Sequence, residues 1–202
     1  MYSFKYPAFA ETLYQALLSD PFYIAMENSV EGNSIAKKEA MLRYMNYSMV
    51  EAEIYGELFI PIEHQYGTSV WAKPLSEELE TEKKRKKKSF LLYHMGESSL
   101  NVYTEITDFM SSKIVDWLPA NSWYLSIVGI LPEFQGQGLG ADLINAVLVK
   151  TDSLGASTYL ETFTPRNMSF YKRLGYQEVA SFVEPVTKSE YWVMMRDAII
   201  KT

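Results

Sequence analysis

The stretch Trp123-Tyr-Leu-Ser-Ile-Val-Gly-Ile-Leu-Pro-Glu-Phe-Gln-Gly-Gln-Gly-Leu-Gly140 decides how this chain folds. It begins with an unbroken run of β-prone residues that Pro132 ends, which predicts a buried central strand. Gly129 inside the run indicates a bulge or the close approach of another backbone. Apolar residues then recur at helical spacing at Leu139, Leu143, Ile144, Val147 and Leu148, with Gly155 as the predicted stop. The order is therefore strand, glycine-rich turn, helix.

The glycine-rich turn is suited to a pyrophosphate, because the first N–H groups of a helix lack intrahelical partners and lie at the positive end of its dipole. A nucleotide P-loop is excluded, since Ala141-Asp142 stands where Lys and Ser or Thr are needed. A dinucleotide-binding turn stays open as a weak match: Gly136, Gly138 and Ala141 have its spacing, and Glu161 follows about 20 residues later. However, Pro132-Glu-Phe-Gln135 intervenes between strand and glycines, and too few residues follow for a second half.

A second strand and a second helix follow. Ser157-Thr-Tyr-Leu-Glu-Thr-Phe163 predicts the strand, and a short helix runs from about Asn167 to Leu174 and stops at Gly175. Asn167 and Tyr171 are four residues apart and so share one helix face. Two further strand candidates, which could form a hairpin, are Gln177–Phe182 and Tyr191–Met195. The pattern predicts a mixed α/β fold with helices on both faces of one sheet.

Two of these segments resemble the motifs of a known family. Ile130-Leu-Pro-Glu-Phe-Gln-Gly-Gln-Gly-Leu-Gly140 resembles the cofactor motif of the GNAT acetyltransferases, in which x-Pro-x-x and then (Arg/Gln)-x-x-Gly-x-(Gly/Ala) follow a strand residue. Leu160-Glu-Thr162 and Pro165-Arg-Asn-Met-Ser-Phe-Tyr-Lys-Arg-Leu-Gly-Tyr176 are similar to its second motif. Within the family, Trp123-Tyr-Leu, Val128-Gly, Phe170-Tyr171 and Trp192-x-Met resemble the branch containing puromycin N-acetyltransferase. The resemblance implies a mostly antiparallel acyl-CoA N-acyltransferase fold and an acetyl-CoA-dependent N-acetyltransferase.

The resemblance also implies which residues bind the cofactor. Backbone groups of Ile130 would hold the pantetheine arm, Asn167 would hydrogen-bond it, and the Tyr171 hydroxyl would lie near the thioester sulfur. The pyrophosphate would be bound by the N–H groups of Gln135, Gly136, Gln137, Gly138, Leu139 and Gly140. Thr164 stands where many family members have the asparagine, and Ser122 stands where the puromycin-like branch often has a histidine.

The implied chemistry is direct transfer without a metal. A neutral amine attacks the acetyl carbonyl of acetyl-CoA, a backbone donor on the central strand stabilises the oxyanion, and Tyr171 protonates the departing thiolate to give CoA. Glu161 is the candidate that accepts the amine proton, directly or through water. Structural alternatives stay open: Tyr171 as a packing residue, Asn167 as a helix cap and Glu161 as a structural carboxylate.

Before Trp123 the sequence predicts helices and short strands without a recognisable motif. The predicted helices are Phe9–Leu18, Ser34–Tyr55 and Val102–Trp117, and the predicted strands are Glu57–Ile62 and Gly67–Ala72. Asp20-Pro21 is predicted to end the first helix. His64 and His94 stand in unremarkable settings and are predicted to be non-catalytic.

The segment Glu77–Lys88 carries mixed acids followed by Lys83-Lys-Arg-Lys-Lys-Lys88 and almost no apolar residues. This composition predicts a solvated helix end or a mobile loop that contributes little to a core. A phosphate or nucleic-acid patch is the weaker alternative, because no aromatic residues interrupt the basic run.

Composition limits the remaining possibilities. A chain of 202 residues, 48% of them apolar, predicts a single domain, with 1–122 on the acceptor side and 123–202 as the acetyl-CoA-binding core. The net charge of -6 argues against nucleic acid as a partner and suits a cationic small molecule. The chain has no cysteine, which excludes disulfides and thiolate nucleophiles.

The predicted location is the cytoplasm, with no membrane partner, because no apolar run reaches about 18 residues and the first residues do not form a signal peptide. The predicted partner is a small-molecule primary amine, and a homodimer stays open. The rival to an enzyme is a GNAT-fold module that binds acyl-CoA as a sensor without turnover.

Overall fold

The computed structural model describes residues 2–61 and 64–199, whose helices and strands surround one six-stranded sheet. The helices are α1 (Pro7–Ala16), α2 (Pro21–Ser29), α3 (Ser34–Tyr55), α4 (Glu77–Met95), α5 (Glu97–Ile114), α6 (Leu139–Ser153) and α7 (Pro165–Arg173). The strands are β1 (Gly56–Phe59), β2 (Gly67–Ala72), β3 (Trp123–Ile130), β4 (Thr158–Thr162), β5 (Gln177–Glu184) and β6 (Ser189–Arg196). Part of the predicted strand Glu57–Ile62 lies outside the described residues.

The sheet has the order β1-β2-β3-β4-β6-β5, in which β3 and β4 are parallel and the other neighbours are antiparallel. Helices α6 and α7 cover one face through a cluster that includes Leu125, Ile144 and Leu160. Helices α1 to α5 cover the other face through two clusters, one around Ile127 and one around Val193. The predicted mixed α/β fold, mostly antiparallel with helices on both faces, is confirmed.

Gly129 lies where β3 passes closest to α1. A Cβ atom at this position would lie 2.8 Å from Leu13 Cδ2 and 3.0 Å from Ala16 Cβ. Contacts this short leave no room for a side chain, so glycine lets the helix pack directly on the strand. The predicted close approach is confirmed, whereas the β3 bulge lies at Ser126, which has no partner in the register with β2.

Helix α2 was not predicted from the sequence, where Asp20-Pro21 was interpreted only as the end of the first helix. The Phe22 N–H donates to Asp20 Oδ1 at 2.9 Å, and Pro21 occupies the first turn. An Asp cap followed by Pro is a helix start signal, because the carboxylate satisfies a free N–H and proline needs none. The dipeptide therefore begins α2, whereas α1 has already ended at Ala16.

Helix α4 excludes the loop predicted as one alternative for the basic run, whereas Lys84, Arg85, Lys86 and Lys88 are exposed, as the solvated alternative predicted. The run lies inside a 19-residue helix that buries Phe90, Leu91 and Met95 in its last turns. Glutamates occupy its first turn, where the positive end of the helix dipole stabilises their charge. The Lys86 ammonium forms an ion pair with Glu82, one turn earlier, at 2.6 Å. Charge pairing and capping, rather than an apolar face, account for the helical first half.

Lys87 is the member of the basic run whose environment differs most from the predicted exposure to solvent. Its side chain is buried, and the ammonium lies 3.0 Å from Glu51 Oε2 on α3. It also lies over the rings of Tyr47 and Tyr44, at 4.7 and 5.2 Å from their centroids. Burial lowers the pKa of Lys87, while the Glu51 charge raises it. Lys87 is therefore part of the packing between α3 and α4.

Candidate active site

The parallel strands β3 and β4 pair only at their beginnings. The register joins Trp123–Leu125 to Thr158–Leu160, and within residues 64–199 no further pairing of these two strands follows. The Ser126 bulge comes directly after the last pair. Because a bulge bends a strand and increases its twist, β3 turns away from β4 at this residue. The resulting gap between the two strands is the centre of the candidate site.

Beyond the bulge, β3 presents backbone groups to the gap. The Leu131 N–H donates to the Tyr66 carbonyl on the β2 side at 2.9 Å. Since successive residues of a strand direct their N–H and C=O groups to opposite sides, Val128 and Ile130 direct theirs toward the gap. The Ile130 carbonyl accepts a hydrogen bond from Gln135 Nε2 at 3.1 Å. The N–H groups of Val128 and Ile130 are the donors on this edge.

The glycine-rich turn leads from β3 into α6 with two residues in the left-handed region. Gly136 and Gly138 have φ of 77° and 83°, which side chains rarely adopt, and Gly138 caps the helix. Within the described part of the chain, the N–H groups from Gly136 to Gly140 have no hydrogen-bond acceptor. The Gln135 N–H instead donates to the Pro132 carbonyl at 3.2 Å. The turn thus offers a run of free donors at a helix N-terminus.

Gly140 serves packing rather than backbone conformation. A Cβ atom there would lie 3.1 Å from Phe170 Cζ and 3.2 Å from Ile130 Cδ1. The missing side chain lets α6 begin close to both β3 and α7. Within one motif, Gly136 and Gly138 are therefore required by the backbone conformation, and Gly140 is required by packing.

Helix α7 directs Asn167 and Tyr171 into the cleft that the gap opens. The helix begins at Pro165 with Thr164 as its N-cap residue, so Asn167 is inside the helix and does not cap it. Tyr171 is 6% exposed and its ring centroid lies 6.1 Å from that of Tyr176. Its hydroxyl has no hydrogen-bond partner among the described residues. Burial raises the pKa of Tyr171, so the hydroxyl keeps its proton and can donate it.

Glu161 reaches the same cleft from the opposite face of the sheet. Its neighbour Leu160 packs under α6 and α7, and alternation along β4 turns Glu161 toward the face covered by α1 to α5. Glu161 Oε2 accepts a hydrogen bond from the Tyr124 hydroxyl at 3.1 Å, while Oε1 is buried without a partner in the described chain. Burial raises the pKa of Glu161 to about 7, against a lowering by Tyr124. A carboxyl that titrates near neutral pH is suited to general-base catalysis.

The cleft has a volume of about 740 Å³. Pockets for small molecules have volumes of about 300–1,000 Å³, so this cleft is of their size. The structure brings Glu161, Asn167 and Tyr171 together on its walls. Ile130 and the turn from Gln135 to Gly140 lie outside its lining, whereas Val128 lines it. The predicted site residues thus divide into a cleft group and an adjoining glycine turn.

Four aromatic rings on the acceptor side were not predicted as site residues. Phe22, Tyr23, Tyr44 and Tyr103, from α2, α3 and α5, all line the cleft. Their rings contact one another in a closed circuit, with successive centroid distances of 5.1, 6.4, 6.4 and 6.2 Å. No short-range motif marks these residues, because each helix contributes only one or two. The sole signal was the helix start at Asp20-Pro21, which places Phe22 and Tyr23.

The two histidines lie away from the cleft. His64 is exposed between β1 and β2, and His94 on α4 packs against the rings of Phe90 and Tyr2, with centroids 4.9 and 5.0 Å away. Ser122, at the position where a histidine is common in the puromycin-like branch, lines the cleft. Its buried hydroxyl has no hydrogen-bond partner among residues 2–61 and 64–199.

Within the described ranges, no cluster of three or more His, Cys, Asp or Glu side chains is arranged to hold a metal ion. The helices of the same ranges include none with the length and apolar character needed to cross a membrane.

Comparison with known proteins identifies one domain family and several related folds. Residues 100–178 match the family described as acetyltransferase (GNAT) domain. A solved structure of histone acetyltransferase HPA2 and related acetyltransferase from Corynebacterium glutamicum has a TM-score of 0.64 at 18% identity, covering 98% of this chain and 93% of that one. A mutant of agmatine N-acetyltransferase has a TM-score of 0.57 at 16% identity, covering 93% and 94%. Naa20 from Chaetomium thermophilum has a TM-score of 0.50 at 13% identity, covering 93% and 80%.

Proposed function

We propose that this protein transfers the acetyl group of acetyl-CoA to the primary amine of a small molecule, a function that the match of residues 100–178 to the acetyltransferase (GNAT) domain family supports. The observation that carries this proposal is that Glu161 and Tyr171 line one cleft from opposite faces of the sheet. One is a carboxyl with a pKa near neutrality and the other a hydroxyl that keeps its proton. Amine acetylation needs both a proton acceptor and a proton donor.

The glycine turn and the β3 edge fit acetyl-CoA. The free N–H groups from Gly136 to Gly140 would bind the pyrophosphate at the positive end of α6. The N–H of Ile130 would pair with the pantetheine arm, and Asn167 would hydrogen-bond it from α7. Bound acetyl-CoA supplies an activated thioester carbonyl.

The residues of the chain then have separate tasks. Glu161 accepts the proton of the attacking amine, directly or through a water molecule. The Val128 N–H, on the cleft edge of β3, is placed to donate to the oxygen on which negative charge develops. Tyr171 donates its proton to the departing sulfur. These roles divide the proton transfers between the two faces of the sheet.

The size and walls of the cleft favour a small molecule over a protein as acceptor. Helices α2, α3 and α5 close the acceptor side with the circuit of Phe22, Tyr23, Tyr44 and Tyr103. Aromatic walls are typical of small-molecule sites. Charged side chains, Lys83 and Asp108 among them, line the rest of this cleft. The resemblance of Trp123-Tyr-Leu and Trp192-x-Met to the puromycin N-acetyltransferase branch supports the same acceptor class. The names of two solved neighbours give different acceptors, histone and agmatine, so the choice of a small-molecule acceptor rests on the cleft.

The rival function is a module that binds acyl-CoA without turnover. A sensor needs the glycine turn but has no use for a proton donor at the thioester and a neutral-pH carboxyl in one cleft. The presence of both favours the enzyme.

An assay of CoA release against a panel of small primary amines tests the proposal. We expect release matched by acetylated amine, with kcat/KM rising with pH through about 7 as Glu161 loses its proton. Glu161→Gln should lower kcat/KM about 100-fold at pH 8, and the loss should shrink at higher pH as the amine deprotonates by itself. Glu178→Gln, on the exposed edge strand, is the matched control and should keep wild-type rates. Acetyl-CoA binding without turnover of any amine would favour the sensor.

A further inference from the structure

Tyr124 is the one side chain of the described chain that hydrogen-bonds Glu161. Its hydroxyl donates to Glu161 Oε2 at 3.1 Å, and its ring lines the same cleft. We propose that Tyr124 is the positioning residue of Glu161, whose hydroxyl fixes the orientation of the carboxyl and favours its ionised, proton-accepting form. This inference rests on the proposed role of Glu161 as the base.

The strand register produces this contact. Tyr124 and Tyr159 are partners in the parallel pair of β3 and β4, just before the strands separate. Their rings stack with centroids 4.7 Å apart and planes 20° from parallel. Glu161 follows Tyr159 by two residues on the same face of β4, so it lies diagonally from Tyr124, within reach of a long side chain. The stack holds the Tyr124 ring in place, and the diagonal brings its hydroxyl to the carboxylate.

The direction of the hydrogen bond is determined by the two groups. Burial, and then the Glu161 charge, raise the pKa of Tyr124 well above its usual value, so this hydroxyl stays protonated and acts as the donor. A donor stabilises a carboxylate and lowers its pKa, whereas burial without a donor raises it. Glu161 Oε1 is buried without a partner in the described residues, so the Tyr124 hydroxyl is the donor that this carboxyl has against its burial. Tyr124 therefore opposes the burial that would leave Glu161 protonated at neutral pH.

Other titratable groups share the cleft with this carboxyl, among them the lysines Lys73, Lys83, Lys84, Lys87 and Lys88, none of which contributes to the pKa shift of Glu161. Tyr159 on β4 and Tyr191 on β6 have pKa values raised by burial and by the Glu161 charge. Tyr23 on α2 also raises the pKa of Tyr124, and Glu80 on α4 also raises the pKa of Tyr159. On α5, Asp108 lines the same cleft. For Glu161 itself, burial and the Tyr124 hydrogen bond are the two influences on its pKa.

The pH dependence of Tyr124→Phe tests the proposal, with Tyr159→Phe as the matched control. Both variants keep the ring stack, but only Tyr124 donates to Glu161. For Tyr124→Phe we expect the rise of kcat/KM to move to higher pH by about one unit, the scale of a hydrogen bond to a charged group. Below the rise, kcat/KM should fall about tenfold; above it, the wild-type value should return, with the KM for acetyl-CoA unchanged. Tyr159→Phe should leave the profile in place.

Direct titration of the Glu161 carboxyl by ¹³C NMR, without acetyl-CoA or amine, gives a second readout. An upward shift of its pKa in Tyr124→Phe alone supports the proposal, even if Glu161→Gln keeps full activity and the base assignment fails. Equal shifts in both tyrosine variants, or an unshifted Glu161 in Tyr124→Phe, would overturn it. A loss of kcat/KM at every pH with an unshifted carboxyl would overturn it as well, because Tyr124 would then act on the proton itself.

Discussion

The two sides of the β3–β4 gap are built in different ways. On the α6 and α7 side, the glycine turn, Asn167 and Tyr171 all come from one stretch, 130–171, in which the backbone conformation of the turn would bind the proposed cofactor. On the acceptor side, the cleft is assembled from α2, α3 and α5 with Tyr124 and Glu161 from the sheet. Binding a constant cofactor needs a local conformation, which a short motif can specify. Enclosing an acceptor needs surfaces from distant segments, which no motif records.

Replacing Tyr171 by Phe should give the largest effect and should be confined to the chemical step. The hydroxyl is proposed to act on the leaving thiolate, a charge that exists only as the thioester breaks, so kcat should fall about 10²–10⁴-fold with little change in acetyl-CoA affinity. The melting temperature should hardly change, because this hydroxyl has no hydrogen-bond partner in the described chain. Steady-state kinetics with an active amine, with cofactor binding measured in parallel, provides the test.

Tyr176→Phe is the control for Tyr171→Phe. Tyr176 is equally buried, but its hydroxyl accepts a hydrogen bond from Thr158 Oγ1 at 2.9 Å. This variant should lose some stability and keep its turnover. If Tyr171→Phe keeps full activity at every pH while chemistry limits the rate, Tyr171 is not the acid and the two sides do not divide the proton transfers.

Lys87→Gln tests the acceptor side by a loss of stability. It leaves the mostly buried Glu51 without its ion-pair partner, which costs about 3–5 kcal/mol, so the melting temperature should fall on the order of 10 °C. Arg85→Gln with Lys88→Gln is the matched control, since both side chains are exposed, and should leave the melting temperature nearly unchanged. Thermal denaturation distinguishes the two. Equal melting temperatures would show that Lys87 contributes no more to stability than the solvent-exposed basic residues around it.

Gly138→Val tests the cofactor side, with Gly155→Val as its counterpart at the other end of α6. Both glycines have positive φ and open space around them, so the backbone strain should be similar. Only Gly138 belongs to the proposed pyrophosphate site, so only its variant should weaken CoA binding, by about tenfold or more. Stabilisation of each variant by CoA reports the difference through mass action. Stabilisation by NADH and not by CoA would contradict the cofactor assignment.

The elements that the sequence predicted well are those in which the local signal agrees with the tertiary environment. Helix α3 spans the predicted Ser34–Tyr55, and β2 spans the predicted Gly67–Ala72. In contrast, α4 was misjudged because its first half is stabilised by charge pairs and a helix dipole, which hydrophobic periodicity does not measure. Lys87 was misjudged for a related reason: a lysine is buried only if another helix supplies its counter-charge, and Glu51 lies 3.0 Å away on α3.

The sequence by itself determined the strand, glycine turn and helix from Trp123 onward, because each depends on neighbours a few positions away. It also excluded several classes of site and singled out Glu161, Asn167 and Tyr171 as candidate site residues. Only the tertiary structure decided that Glu161 and Tyr171 face one cleft from opposite sides, and that Tyr124 contacts the carboxyl. Both facts depend on where two parallel strands separate. That point is decided by a bulge and by the packing of helices on each face, which no single segment contains.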